Sequence, residues 1–484
     1  MAEEVWMLQT KKADFKQIGA RFRIDPVTAR IIRNRGIEGE AAIDRYLNGT
    51  LDDLYDPMLL KDMECAVSIL CEAVDTGKKI RIVGDYDIDG VCSTYILLQA
   101  FERLGSDVDF EIPDRIKDGY GINESIIEQA HADGVEVILT CDNGISAFHQ
   151  VELAKKYGMT VVITDHHEVP LDGEKEKIPP ADPKQADCPY PFPEICGAVV
   201  AYKLVQVLYA RRGVPQMEWL DLLEFAAIAT VGDVMKLQDE NRILVKYGLK
   251  KMAQTKNLGL RRLAEKNNLD LGAITAYHIG FVIGPCLNAG GRLKTAKEAL
   301  ALLRAQSEEE AERLAEELKE LNDTRKDMTE QGTEAAKLQV ESWYQKDKVL
   351  VVFLPECHES LAGIIAGRLR EYYQKPAIVL TRGEEAVKGS GRSIDEYHMF
   401  KKLTEVSDLL LKFGGHPLAA GLSLEEKNID EFRRRLNENA GLTEEDFKAK
   451  VWIDVPMPVG YVTERLVREL SCLEPFGQGN EKPL

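Results

Sequence analysis

A chain of 484 residues and 54.2 kDa is too long for one core, so two or three domains are expected and a single small binding module is excluded. With 44% hydrophobic, 30% charged and 7% aromatic residues, the composition is that of folded cores rather than of a disordered or fibrous chain. The formal net charge of −19, from 81 acidic against 62 basic residues, excludes uniform basic coating of nucleic acid but not a local basic track.

The opening MAEEVWMLQTKK lacks a basic stretch followed by an apolar one, and no apolar run approaches the roughly 18 residues of a membrane helix. Nine cysteines without any CxxC spacing suit a reducing compartment. A cytoplasmic protein with no membrane partner is expected. Next, DPVTARIIRNRG and EGEAAIDRYL make residues 1–60 a helical appendage. From Ile80 to Asp165 short β-branched runs alternate with helical patterns, the mark of βαβ units and a doubly wound, mostly parallel sheet. The strand candidates are 79–87, 108–114, 135–142 and 160–167. The helices between them are expected to open on Ser93, Asn123 and Ser146 and to close on Gly105, Gly134 and Gly158. The run AAIATVGDV (226–234) reads equally as a strand or a buried helix.

Residues 256–345 form a connecting region. Its long helix, from Ser307 to about Lys337, has a capping-box pattern of Ser307 with Glu310 and a stripe of Leu314, Leu318, Leu321 and Met328. A second, smaller α/β domain is expected over 346–450, with strands 349–354 and 376–380 around a helix at 360–373. Residues 451–484 begin another strand pattern. Residues 241–300 hold eleven Lys or Arg against three acids, a local charge of +8 (11 − 3). No GxxxxGK[ST] loop occurs, and GxGxxG does not follow the first strand, so triphosphate and dinucleotide cofactors are not indicated.

All four strand candidates of the first sheet finish on acids or histidines. In open α/β sheets the ligand crevice lies beyond the carboxyl ends of the strands, where Asp85, Asp87, Asp89, Asp114, Asp142, Asp165, His166 and His167 converge. So many carboxylates repel one another unless cations sit among them, and a set without thiolates suits Mn²⁺ or Mg²⁺, with ligands enough for two ions. Taken singly, GDYDIDG also fits a calcium-like loop or a plain strand-to-helix turn, and Asp142 in CDNG a turn residue. GSGRS reads either as a tight turn or as a phosphate site built from backbone N–H groups, Ser390 and Arg392.

GDYDIDG, TCDNG, TDHH and VGDVM, in this order, resemble the four motifs of the DHH phosphoesterase superfamily, which hydrolyses phosphate esters with two metal ions. IPDRIKDGYG, IGPCLNAGGR, CHESLAGIIAGRL, GSGRS and FGGHPLAAG are similar to segments of its bacterial single-stranded-DNA-specific exonucleases, over nearly the whole chain. The resemblance implies a DHH domain over 61–255 and a DHH-associated, substrate-binding domain over 346–450. It implies metal ligation by Asp87, Asp89, Asp142, His166 and Asp233, with Asp142 bridging. Asp165 is expected to orient the metal-binding histidine, His167 to face the scissile phosphate and Arg292 to offset its charge. Arg115, Ser390 and Arg392 resemble the pocket for a 5′-terminal phosphate. His416 either touches substrate phosphate or caps a turn, and Asp85 and Asn288 are further candidates.

Three departures stand out. Val83 occupies the position of a superfamily histidine, Cys286 and Leu287 replace an arginine and a β-branched residue, and PFGQGNEKPL resembles the opening of an OB-fold domain cut short. The activity implied is 5′→3′ removal of mononucleotides from single-stranded DNA in repair and recombination. Single-strand-binding protein and a helicase are the implied partners of a monomer. A phosphodiesterase of short oligoribonucleotides or cyclic dinucleotides is the alternative, and a scaffold that has lost its metals is a third reading.

Overall fold

The computed structural model describes residues 4–169 and 180–484. In chain order the strands are β1 (Glu4–Leu8), β2 (Ile80–Val83), β3 (Val108–Glu111), β4 (Val137–Cys141), β5 (Thr160–Thr164), β6 (Pro180–Ala181), β7 (Leu350–Phe353), β8 (Ala377–Arg382), β9 (Val387–Arg392), β10 (Leu410–Gly415), β11 (Ala419–Leu424) and β12 (Ala449–Ile453). The chain divides into two compact units. The larger is Thr10–Asn322 with Asp454–Leu484, and the other joins the chain up to Gln9 with Asp323–Ile453. The division falls inside the helix Glu308–Gln339. Among the described residues no helix is long and apolar enough to cross a membrane.

The larger unit contains a parallel sheet of order β3-β2-β4-β5-β6. Strands β2 (IRIV) and β4 (VILTC) are buried throughout, because helices cover both faces and leave no side for an alternating polar pattern. The chain leaves β2 for β3 on one side and returns to β4 on the other, which puts the topological switch point between β2 and β4. Arg81 donates to both oxygens of its cross-strand neighbour Asp109 (2.7 and 2.8 Å) and to Asp133 (2.8 Å), pinning β2 to the edge strand.

Two of the expected helix starts shift. The first helix runs Ile88–Arg103, and its cap is Asp87, which accepts from the N–H groups of Asp89 (2.9 Å) and Gly90 (3.1 Å); Ser93 lies buried inside it. The GDYDIDG motif is therefore itself the helix start. The third begins at Phe148 with no side-chain cap, two residues beyond Ser146. The second is capped by Asn123 as expected, and Gly105, Gly134 and Gly158 close the helices at φ between 72° and 77°. AAIATVGDV resolves as the end of a helix, Leu223–Gly232, buried on every side through Thr230, with Asp233 at its C-terminus.

The other unit carries a mixed sheet of order β10-β11-β9-β8-β7 and a separate parallel pair, β1 with β12. Residues 4–8, expected in a helical appendage, are thus a strand. GSGRS is no turn. It lies in β9, the central strand, laddered to β8 and β11, so its backbone N–H groups are engaged in the sheet and only its side chains remain for a ligand. A Cβ on Gly389 would sit 2.5 Å from Leu380, whereas Ser390 and Arg392 point to the opposite face, beside Gly363 in the helix Ala362–Tyr373.

No barrel strands follow β12 among residues 454–484. They form a helix, Glu464–Leu470, and turns whose Leu473 packs with Ile31, Ile32, Ile43 and Tyr46 of the N-terminal helices. The reason is spacing: Leu466, Leu470 and Leu473 recur at helical intervals and have a core to enter. The buried guanidinium of Arg242 ties the two ends together by donating to the carbonyls of Tyr46, Cys472 and Leu473 (2.8–3.0 Å).

The long helix keeps its expected cap, with Ser307 Oγ accepting from the Glu310 N–H at 3.1 Å, while Glu310 reaches back to the Gln306 N–H. Its Glu308, Glu312 and Glu316 pair with Arg261, Arg262 and Lys266. Lys251 and Lys256 pair with Asp221, Lys294 with Glu298 and Lys297 with Glu111. Most of the +8 stretch is therefore matched by acids, and the expected basic track shrinks accordingly.

Candidate metal centre

The switch point gathers the strand-end acids into one cluster. Atoms of Asp85, Asp87 and Asp142 lie within 4.8 Å of one another, as do those of Asp89, His166 and Asp233, and those of Asp142, His166 and His167. His166 Nε2 stands 3.1 Å from Asp142 Oδ1, 3.4 Å from Asp89 Oδ2 and 3.8 Å from Asp233 Oδ2. Asp142 and His166 each belong to two of these groups. Asp85 enters the first group.

The elements hold the ligands by identifiable means. Asp142 sits at φ 61°, a left-handed conformation open to Asp and Asn, as β4 turns away. The helix Gly197–Arg211 aims its N-terminus at Asp89, whose two oxygens accept from the N–H groups of Gly197 and Ala198 at 2.7 Å each. Only glycine allows that approach, since a Cβ on residue 197 would lie 2.7 Å from the Cβ of Asp142. The sequence reading missed this helix terminus, because ICGAVV carries no charged residue to announce it.

Electrostatically the cluster is incomplete without cations. Burial, aggravated by neighbouring carboxylates, raises Asp85, Asp87 and Asp142 above the ordinary carboxylate range and pushes Asp233 up to about 8. Burial also lowers His166. Asp85 Oδ1, Asp142 Oδ1 and His166 Nδ1 are buried without a hydrogen-bond partner. Carboxylate oxygens and one imidazole, short of partners and ringed about common points, fit hard divalent ions such as Mn²⁺ or Mg²⁺.

Asp165 departs from expectation. Its carboxylate accepts from the backbone N–H groups of His166 (2.7 Å), His167 (3.2 Å) and Ile145 (2.9 Å), and it bonds the ring of His167 at Nδ1 (2.8 Å), not that of His166. Burial opposes charge on both partners, yet their hydrogen bond holds Asp165 below its ordinary value and His167 up at about 9. Tyr120, which the sequence reading left inside IPDRIKDGYG, braces the same ring. Its hydroxyl donates to the Asp142 carbonyl at 2.8 Å and lies 3.0 Å from His167 Nδ1. The Tyr120→Phe variant is expected to lower turnover by about 2- to 10-fold, the equivalent of one hydrogen bond of about 0.5–1.5 kcal/mol, with the far-ultraviolet spectrum unchanged. A variant turning over at the wild-type rate would remove Tyr120 from the positioning of His167.

Arg115 stacks over the Tyr86 ring at 4.8 Å, and its charge is felt by Asp85. Arg292 lies near enough to act on Tyr86, and its helix Gly284–Leu293 reaches the first motif closely: a Cβ on Gly291 would sit 2.3 Å from the Tyr86 carbonyl oxygen. Asn288 is half-buried on that helix. Asp114 is turned away from the cluster and caps its own loop through the N–H groups of Ile116 and Lys117. Ser390, Arg392 and His416 belong to the other unit. There Arg392 donates to Ser390 Oγ at 3.2 Å, and His416 is exposed in the β10–β11 turn, which its N–H closes on the Ala419 carbonyl at 2.8 Å.

Residues 79–230 match the DHH family, N-terminal domain, and residues 346–441 match the DHHA1 domain. The chain is 38% identical over 483 residues to the single-stranded-DNA-specific exonuclease RecJ of Bacillus subtilis, covering 99% of itself and 61% of that relative. It is 35% identical to RecJ of Escherichia coli, over 95% of this chain and 83% of that one. The crystal structure of RecJ in complex with Mn²⁺ from Thermus thermophilus superposes with a TM-score of 0.86 at 30% identity, covering 99% of this chain and 69% of that chain. The four motifs, their placement at one switch point and these likenesses lead to one conclusion: the chain belongs to the RecJ family of DHH proteins.

Proposed function

We propose that this chain is a two-metal-ion exonuclease that removes 5′-mononucleotides from single-stranded DNA in the 5′→3′ direction, in cytoplasmic DNA repair and recombination. The observation that carries this reading is the convergence of Asp85, Asp87, Asp89, Asp142, His166 and Asp233 at the switch point, with buried oxygens short of partners. These six residues hold two Mn²⁺ or Mg²⁺ ions, which when bound supply an activated water and offset charge on the phosphoryl oxygens. Asp165, at Nδ1, and the Tyr120 hydroxyl, near both ring nitrogens, orient His167 towards the scissile phosphate. Arg292 offsets charge on the same group. Arg115 in one unit and Ser390 and Arg392 in the other receive phosphates of the strand, the terminal 5′-phosphate among them. His416 closes its own turn, which favours a structural part for it. The chain acts as a monomer, with single-strand-binding protein and a helicase as partners.

The test uses 5′-labelled and 3′-labelled strands of DNA and of RNA, 5′-phosphorylated and incubated with Mn²⁺. The 5′ label is expected in a mononucleotide from the earliest time point, while 3′-labelled DNA shortens progressively. Internal cleavage, or a preference for dinucleotides over long strands, would overturn the reading.

A further inference from the structure

Tyr277 and Phe281 are the most exposed aromatic side chains among the described residues of the larger unit, at 62% and 68%. Their rings stack on each other, with centroids 4.8 Å apart and planes 26° from parallel. Phe281 stands on a π-helical turn, Ile279–Ile283, Tyr277 on the short helix Ala276–His278 just before it, and the helix that carries Arg292 follows. Wide turns of this kind recur at functional sites.

The other face of the turn is fixed to the metal centre. Ile279 and Ile283 are fully buried in the same core as Ile88, the residue between Asp87 and Asp89. Gly284 lies against Ile88, where a Cβ would be 3.3 Å from Ile88 Cδ1, and Gly280 lies against Val231, two residues before Asp233. Two large rings thus face solvent from a turn seated directly on the segments that bear the ligands. Within residues 241–300, Lys251, Lys256, Arg261, Arg262, Lys266, Lys294 and Lys297 are already matched by acids. Aromatic faces stack on any base and tolerate any sequence, which suits a strand entering a phosphodiester-cleaving site.

We infer that Tyr277 and Phe281 form a base-stacking platform for single-stranded nucleic acid beside the metal centre. The inference rests on the nuclease reading above. It is tested by steady-state release of mononucleotides with Mn²⁺ from 5′-phosphorylated strands whose downstream nucleotides carry bases or are abasic. In the wild type, removing the bases is expected to raise KM about tenfold or more with little change in kcat, in line with stacking of about one base. The Tyr277→Ala/Phe281→Ala variant is expected to show that raised KM on base-bearing strands and no further rise on abasic ones. Tyr277→Phe/Phe281→Tyr keeps wild-type values. Phe281→Leu, which retains apolar bulk, shifts KM in the alanine direction and separates stacking from folding. A double-alanine variant with wild-type KM, or with undiminished sensitivity to base removal, would overturn the platform alone. A wild type that releases no mononucleotide would instead overturn the nuclease reading on which it rests.

Discussion

Replacing Asp142 by Asn is expected to lower Mn²⁺-dependent mononucleotide release by about a thousandfold or more while leaving the fold intact. The residue supplies the carboxylate common to two of the three ligand groups, so its loss weakens both metal positions together. A loss of several kcal/mol of charge stabilisation, at about 1.4 kcal/mol per decade of rate, gives that magnitude. The fold survives for two reasons. Asn is among the few residues that accept the φ of 61° at this position, whereas Ala is strained there. The substitution also removes one of several carboxylates whose mutual repulsion and burial raise them above their ordinary range. Without metal, Asp142→Asn is therefore expected to unfold at or above the wild-type temperature. With Mn²⁺ the wild type gains stability by mass action and the variant gains little. Activity assays and thermal unfolding with and without Mn²⁺ check both halves, and a variant with an undiminished Mn²⁺-induced shift would dismiss Asp142 as the bridge.

The convergence of acids at one switch point was legible in the sequence because strand ends depend only on chain order and on strand periodicity. The candidate ligand set came from the resemblance of the four motifs, since Asp233 ends a helix rather than a strand. What stayed hidden depends on contacts between distant segments. The helix terminus at Gly197 holds Asp89 through backbone N–H groups, which carry no residue signature. Tyr120 meets His167 across 47 positions of sequence. GSGRS looked like a turn because glycine is read locally, yet here Gly389 makes room for Leu380 and Leu422, and Gly391 for Met399 and Ile378, inside a central strand. The basic stretch 241–300 could be counted but not paired. Its partners include acids on the helix Glu308–Gln339, distant in sequence.

A second large effect is expected away from the metal centre, at Lys203. This lysine and Glu240 are both buried, with Nζ 3.1 Å from Glu240 Oε2 and 3.0 Å from the Tyr55 carbonyl. Glu240 Oε1 accepts from Tyr190, and Lys203 Nζ stands 5.2 Å from the same ring. Burial lowers Lys203 from its ordinary range, while Glu240 works against that shift. Removing the lysine leaves a buried carboxylate with no cation, a change that costs about 3–5 kcal/mol in other proteins. Lys203→Met is expected to destabilise the larger unit by that amount in urea unfolding. The double variant Lys203→Met/Glu240→Gln, which removes both charges, is expected to recover most of it. The consequence reaches the site because Lys203 lies less than two turns along the helix whose N-terminus holds Asp89. If that helix is what orients Asp89, the single variant also binds Mn²⁺ more weakly than the double. Equal Mn²⁺ affinities alongside unequal stabilities would confine the ion pair to holding the fold.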